Sequence, residues 1–135
     1  MKLKDVAEYI EDITYFDVEL EEDCIYLRTR ENGNVGDEEI GQEDEDEAYK
    51  VVKTVLDKFK DLVANVEFVD EWVHVDFKSS KIGEHDVNNL PKGTVVDGHG
   101  FLNPRTIIDE RHYQLKYYNV EGGQIVNAYD IDKII

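Results

Sequence analysis

The side chains of this 135-residue sequence with most scope for metal or nucleophilic chemistry are four histidines and one cysteine. His74, His85, His99 and His112 stand at none of the short Cys or His spacings that mark a zinc ligand set. His85-Asp86 and Asp97-Gly98-His99-Gly100 fall in a Gly- and Pro-bearing stretch, and His112 opens a strand-like run. A small metal-dependent enzyme would have to be assembled from His85, His99 and His112. Exposed loop imidazoles are the simpler reading. Cys24 has no nucleophile motif around it and reads as a small hydrophobe packed in a strand. Asn32-Gly33-Asn34-Val35-Gly36 lacks the lysine of a phosphate loop, and Asp37-Glu38-Glu39 behind it would repel a phosphate. Arg28 and Arg30 sit amid carboxylates and suit charge neutralisation better than ligand capture. No catalytic residue, metal ligand or cofactor is therefore expected.

Carboxylates are the other candidate chemistry. Asp37 to Glu47 carries eight acidic side chains in eleven positions. A solvated loop running into a helix N-terminus accounts for it, because the dipole there stabilises each carboxylate by about 0.3–1 kcal/mol. A calcium loop would need acids at positions 1, 3 and 5, a Gly at 6 and a Glu at 12, and that spacing is missing. The third reading is recognition by a basic protein surface. Duplex DNA presents one negative charge per about 1.7 Å of axis, and a protein competing for a DNA-binding groove must hold carboxylates apart on an ordered scaffold. Asp5, Glu8, Glu11 and Asp12 at helical spacing, Asp17 and Glu19 at strand spacing, and Glu21 and Glu22 beyond them offer such a scaffold.

The formal net charge is −17, from 32 acidic and 15 basic residues. It is unevenly placed: residues 1–47 hold 18 acidic and 4 basic side chains, a net of −14, which leaves −3 for residues 48–135. Such a field repels nucleic acid and anionic lipid and attracts basic proteins, with salt screening it over about 10 Å. Direct nucleic-acid binding is excluded as an expectation, and so is a membrane role, since no apolar run approaches the ~20 residues needed to cross a bilayer. A hydrophobic fraction of 41 % and eight tyrosines argue against a disordered acidic tail. The single cysteine cannot form an internal disulfide, and the first residues turn acidic before a signal-peptide core, so a cytoplasmic location is expected.

The elements that must position these groups can be read from periodicity. Leu3, Val6, Ala7 and Ile10 predict a short amphipathic helix over 2–11. Phe16, Val18 and Leu20 alternate with Asp17 and Glu19, and the run from Cys24 to Arg30 pairs with them as a hairpin. Ala48, Val51, Val52, Val55, Leu56, Phe59, Leu62 and Val63 predict one long helix with an acidic start at Glu43 to Glu47. Strands follow at 66–69 and 72–77, with a short one near Thr94-Val95-Val96. Two tyrosine-rich runs, 112–120 and 124–131, are joined by Glu121-Gly122-Gly123. The order lacks regular βα alternation. The prediction is one acidic α+β domain over residues 1–135, with a mainly antiparallel sheet of about six strands, the long helix across one face covering Phe68, Val73, Val75 and Phe77, and a short N-terminal helix.

The function these features suit best is a non-enzymatic acidic module that docks on a basic, nucleic-acid-binding type of protein and inhibits or modulates it. The partner-binding residues would be Asp5, Glu8, Glu11, Asp12, Asp17, Glu19, Glu21, Glu22, Asp37, Glu38, Glu39, Glu43 and Asp44. Small nucleic-acid-mimic inhibitors carried by phages or mobile elements resemble it in size and charge. The alternative is an assembly protein forming a homodimer or larger oligomer through its C-terminal hairpin, where Tyr113, Tyr117, Tyr118 and Tyr129 cluster.

Overall fold

The computed structural model describes residues 2–14, 16–22, 24–28, 30–31, 34–35, 42–69, 72–112 and 115–135, with the backbone alone at 30–31, 34–35, 42–44 and 112. The elements are α1 (Leu3–Ile13), β1 (Asp17–Leu20), β2 (Cys24–Arg28), β3 (Arg30–Glu31), β4 (Asn34–Val35), α2 (Gln42–Lys58), β5 (Leu62–Val69), β6 (Trp72–Ser79), β7 (Lys81–Ile82), β8 (His85–Asp86), β9 (Val95–Gly98), β10 (Arg105–His112), β11 (Lys116–Val120), β12 (Gln124–Asn127), a 3₁₀ turn (Ala128–Asp130) and β13 (Ile131–Ile134). Every pairing with a described register is antiparallel, so the chain is α+β. The described strands number thirteen rather than about six, because β4, β7, β8 and most of β10 lie outside the expected runs and a 3₁₀ turn splits the last run into β12 and β13.

The chain gathers into two compact units, one of residues 1–60 and 64–77 and one of residues 61–63 and 78–135. In the first, α1 buries Val6, Ala7 and Ile10. It ends where the Phe16 N–H donates to Thr14 Oγ1 at 3.3 Å, a side-chain bond that competes with helical pairing and turns the chain into β1. Strand order in the sheet is β1-β2-β6-β5. The β1–β2 hairpin is as expected, with Asp17 opposite Arg28 and Glu19 opposite Tyr26. In β2 and β6, Ile25 pairs with Val75 and Leu27 with Val73, and all four are buried. Period two then puts Cys24, Tyr26, Arg28, Trp72, His74 and Asp76 on the other face.

α2 buries Ala48, Val51, Val52 and Val55, and its Tyr49 meets Phe68 of β5 edge-on with ring centroids 5.5 Å apart. Tyr9 and Phe59 make a second edge contact at 5.9 Å, and Lys58 Nζ lies 4.9 Å from the centre of the Tyr9 ring. α2 stops at Lys58, so Leu62 and Val63 belong to β5 and not to the helix. Leu62, Val63 and Ala64 are buried in succession, and a strand start covered on both sides gives a continuous apolar run that also satisfies helical spacing.

The second unit has the strand order β12-β11-β10-β9-β13 and a separate β7–β8 hairpin. Its core is Val63, Val87, Leu90, Val96, Ile107, Tyr118, Val120, Ala128 and Ile131. Asp86 fastens the β7–β8 hairpin: it accepts from Asn88 N at 2.9 Å and from Lys81 Nζ at 3.3 Å. The Glu121–Gly123 turn is present with both glycines at positive φ, as the hairpin signal requires. The second tyrosine-rich run is broken at Asn127, whose Oδ1 accepts from Tyr129 N at 3.0 Å and caps the 3₁₀ turn, after which β13 pairs with β9. The central strand β10 had no clear sequence signal, since only Ile107 of its seven described side chains is buried. No described helix is long and apolar enough to cross a membrane.

Candidate functional site

The acidic face begins on α1. At about 100° per residue, Asp5, Glu8, Glu11 and Asp12 fall within an arc of about 120° opposite Val6, Ala7 and Ile10. All four are exposed. Glu8 lies 3.9 Å from Lys4 Nζ, a solvated pair of little strength. Glu11 and Asp12 have no cation within ion-pair distance among the described residues. α1 packs on β1. There Asp17 is half-buried opposite Arg28, while Glu19, Glu21 and Glu22 are exposed on the strand and the turn that follows. The structure therefore brings Asp5, Glu8, Glu11, Asp12, Asp17, Glu19, Glu21 and Glu22 onto two contacting elements and their turn. Glu43 and Asp44 lie in the first turn of α2. Asp37, Glu38 and Glu39, the Asn32-Gly33 turn and Tyr113 lie outside the described residues.

A second constellation occupies the other face of β2 and β6. Cys24 is opposite Asp76, and Tyr26 opposite His74. The ligand atoms of Cys24, His74 and Asp76 all lie within 4.8 Å of one another. His74 Nε2 is 3.2 Å from Asp76 Oδ1, yet this buried nitrogen has no partner aligned for a hydrogen bond. Tyr26 stacks at a tilt on the imidazole, centroids 4.7 Å apart, and meets Trp72 edge-on at 5.8 Å. The Arg28 guanidinium lies 5.1 Å from the centre of the Trp72 ring. A hydrogen bond with Cys24 raises the Tyr26 phenol above its ordinary range, so thiol and hydroxyl are neighbours. Cys24 is buried, as a packed strand hydrophobe should be, but it is packed beside two potential ligands.

The second unit carries a cavity of about 450 Å³ lined among others by His99, Phe101, Arg105, Ile125 and Asp130. Burial holds the Asp130 carboxyl above its ordinary range against the pull of His99 and Lys78. His85 is exposed on β8. Among the described residues, no group of three metal-ligating side chains includes His85 or His99.

Comparison with protein-family models, with curated proteins and with solved structures returns no match. Nothing in those comparisons points to an enzyme. The exposure of Asp5, Glu8, Glu11 and Asp12 on one side of α1 was legible from spacing alone. The Cys24–His74–Asp76 cluster was not: His74 and Asp76 alternate on one strand, but Cys24 reaches them through a β2–β6 pairing that spans the whole of α2.

Proposed function

We propose that the protein is a non-enzymatic acidic binding module that docks its α1–β1 surface on a basic protein of the nucleic-acid-binding kind and inhibits or modulates it. The observation that carries this reading is the outward arc of Asp5, Glu8, Glu11 and Asp12 on α1, with Glu19, Glu21 and Glu22 also exposed on the adjoining β1 and its turn, and with Lys4 as the one described cation paired to them. Helix and strand hold these carboxylates apart, so the surface offers spaced negative charge where a lysine- and arginine-lined groove expects phosphates. Long-range attraction speeds encounter, and the ordered scaffold limits the entropy lost on docking.

Immobilised protein exposed to host lysate at low salt should retain basic, nucleic-acid-binding proteins and release them as salt is raised. The fourfold neutralised variant Asp5→Asn, Glu8→Gln, Glu11→Gln, Asp12→Asn should lose affinity for the retained protein by about tenfold or more, equivalent to about 1.4 kcal/mol. Retention that ignores both salt and the substitutions overturns the reading.

A second reading, self-association through the C-terminal hairpin, is favoured by one feature: β12 is an edge strand carrying Ile125, which is 47 % exposed. A stable dimer in light scattering, indifferent to salt and broken by Ile125→Lys, would establish it.

A further inference from the structure

We propose that Cys24, His74 and Asp76 form a binding site for a zinc-class divalent ion, with one coordination position left open. The three residues come from neighbouring strands in fixed register, so the sheet sets their spacing: Cys24 faces Asp76 directly, and His74 lies two positions before Asp76 on β6 and on the same face. In a tetrahedral zinc site, bonds of 2.0–2.1 Å to nitrogen and oxygen place those two atoms about 3.3 Å apart. His74 Nε2 and Asp76 Oδ1 stand 3.2 Å apart already. The thiol sulfur, within 4.8 Å of both, needs only about 1 Å of approach to meet an ion seated between them, a distance that a small rotation of its side chain covers.

Three further features fit a cation. His74 Nε2 is closed off from solvent without an aligned hydrogen-bond partner, and metal coordination satisfies such a lone pair. The donor set is one thiolate, one imidazole and one carboxylate, which suits zinc and its cobalt analogue; calcium and magnesium take oxygen donors in larger number. The Tyr26 ring against His74 fixes the plane of the imidazole, which lowers the ordering cost of binding. Three protein ligands leave a fourth position for water or for a donor brought by another molecule. The competing arrangement is a bare His74–Asp76 ion pair beside a buried thiol, and it predicts no metal affinity.

The test uses chelator-stripped protein of residues 1–135. Titration with Co²⁺ should give one-to-one binding with a thiolate-to-cobalt charge-transfer band and the intense visible absorption of four-coordinate cobalt, and Zn²⁺ should displace it. Cys24→Ser should abolish the charge-transfer band, and Asp76→Asn should weaken binding by at least about tenfold, the loss that even residues outside a ligand set can cause. Zn²⁺ should raise the Tm of the wild-type protein and raise that of Asp76→Asn by clearly less at the same ion concentration. The fourfold α1 variant should bind as wild type does, which separates this site from the acidic face. Absence of saturable one-to-one binding, a cobalt spectrum without the thiolate band, or binding lost in the α1 variant but kept in Asp76→Asn would each overturn the proposal.

Discussion

Tyr118 ties the second unit together through one hydroxyl. It donates to Val87 O at 2.6 Å and accepts from Leu90 N at 3.1 Å, and the residue is fully buried. Tyr118→Phe keeps the ring but leaves a buried N–H and a buried carbonyl without that partner, which should cost about 1–3 kcal/mol in urea unfolding at neutral pH. Burial also pushes the hydroxyl from its ordinary 10.0 up to about 12. The folded chain thus holds this proton to higher pH than the unfolded chain does, so the contribution is complete below pH 10 and is lost as pH rises towards 12. The stability gap between wild type and Tyr118→Phe should narrow across that window; a gap that widens would contradict the assignment. Asp86 runs the opposite way. Burial works against its charge, but the Asn88 N–H and the Lys81 ammonium outweigh it and hold the carboxyl below its ordinary 3.8. Its contribution is present above that value and lost as pH falls through the folded one, so Asp86→Ala should destabilise at neutral pH by about 1–3 kcal/mol and by less in acid.

Among the elements, β9 and the 3₁₀ turn meet at a point only glycine allows. A Cβ on Gly98 would lie 1.8 Å from the Asp130 carbonyl oxygen, and His99 N donates to that same oxygen at 2.9 Å. Gly98→Ala must push backbone against backbone and should cost about 1–3 kcal/mol, read as a lower Tm with loss of near-ultraviolet signal. Nothing in Asp97-Gly98-His99-Gly100 shows this in sequence, because the close approach is made by Asp130, thirty-two positions later. By contrast α1, the β1–β2 hairpin and the β11–β12 turn follow from local period and turn chemistry and could be read directly. The boundary between α2 and β5 could not, since Leu62 and Val63 satisfy both periods. β10 was missed because tertiary pairing on both sides, and not its own apolar pattern, makes it a strand.

At the scale of the whole chain, charge separates the two candidate surfaces by mechanism. The face of Asp5, Glu8, Glu11 and Asp12 works at a distance and through number, so single substitutions there should have small effects and combined ones large. The cluster of Cys24, His74 and Asp76 works at contact and through geometry, so one substitution should suffice. The acidic face was legible because helical and strand spacing place its residues without long-range information. The cluster needed strand pairing across half the first unit. The most direct test of the binding role is the affinity for the retained basic partner measured against salt concentration, for wild type and for the fourfold α1 variant. Affinity should fall steeply with salt in the wild type and less steeply in the variant, the two converging at high salt. Parallel, salt-independent lines would contradict it.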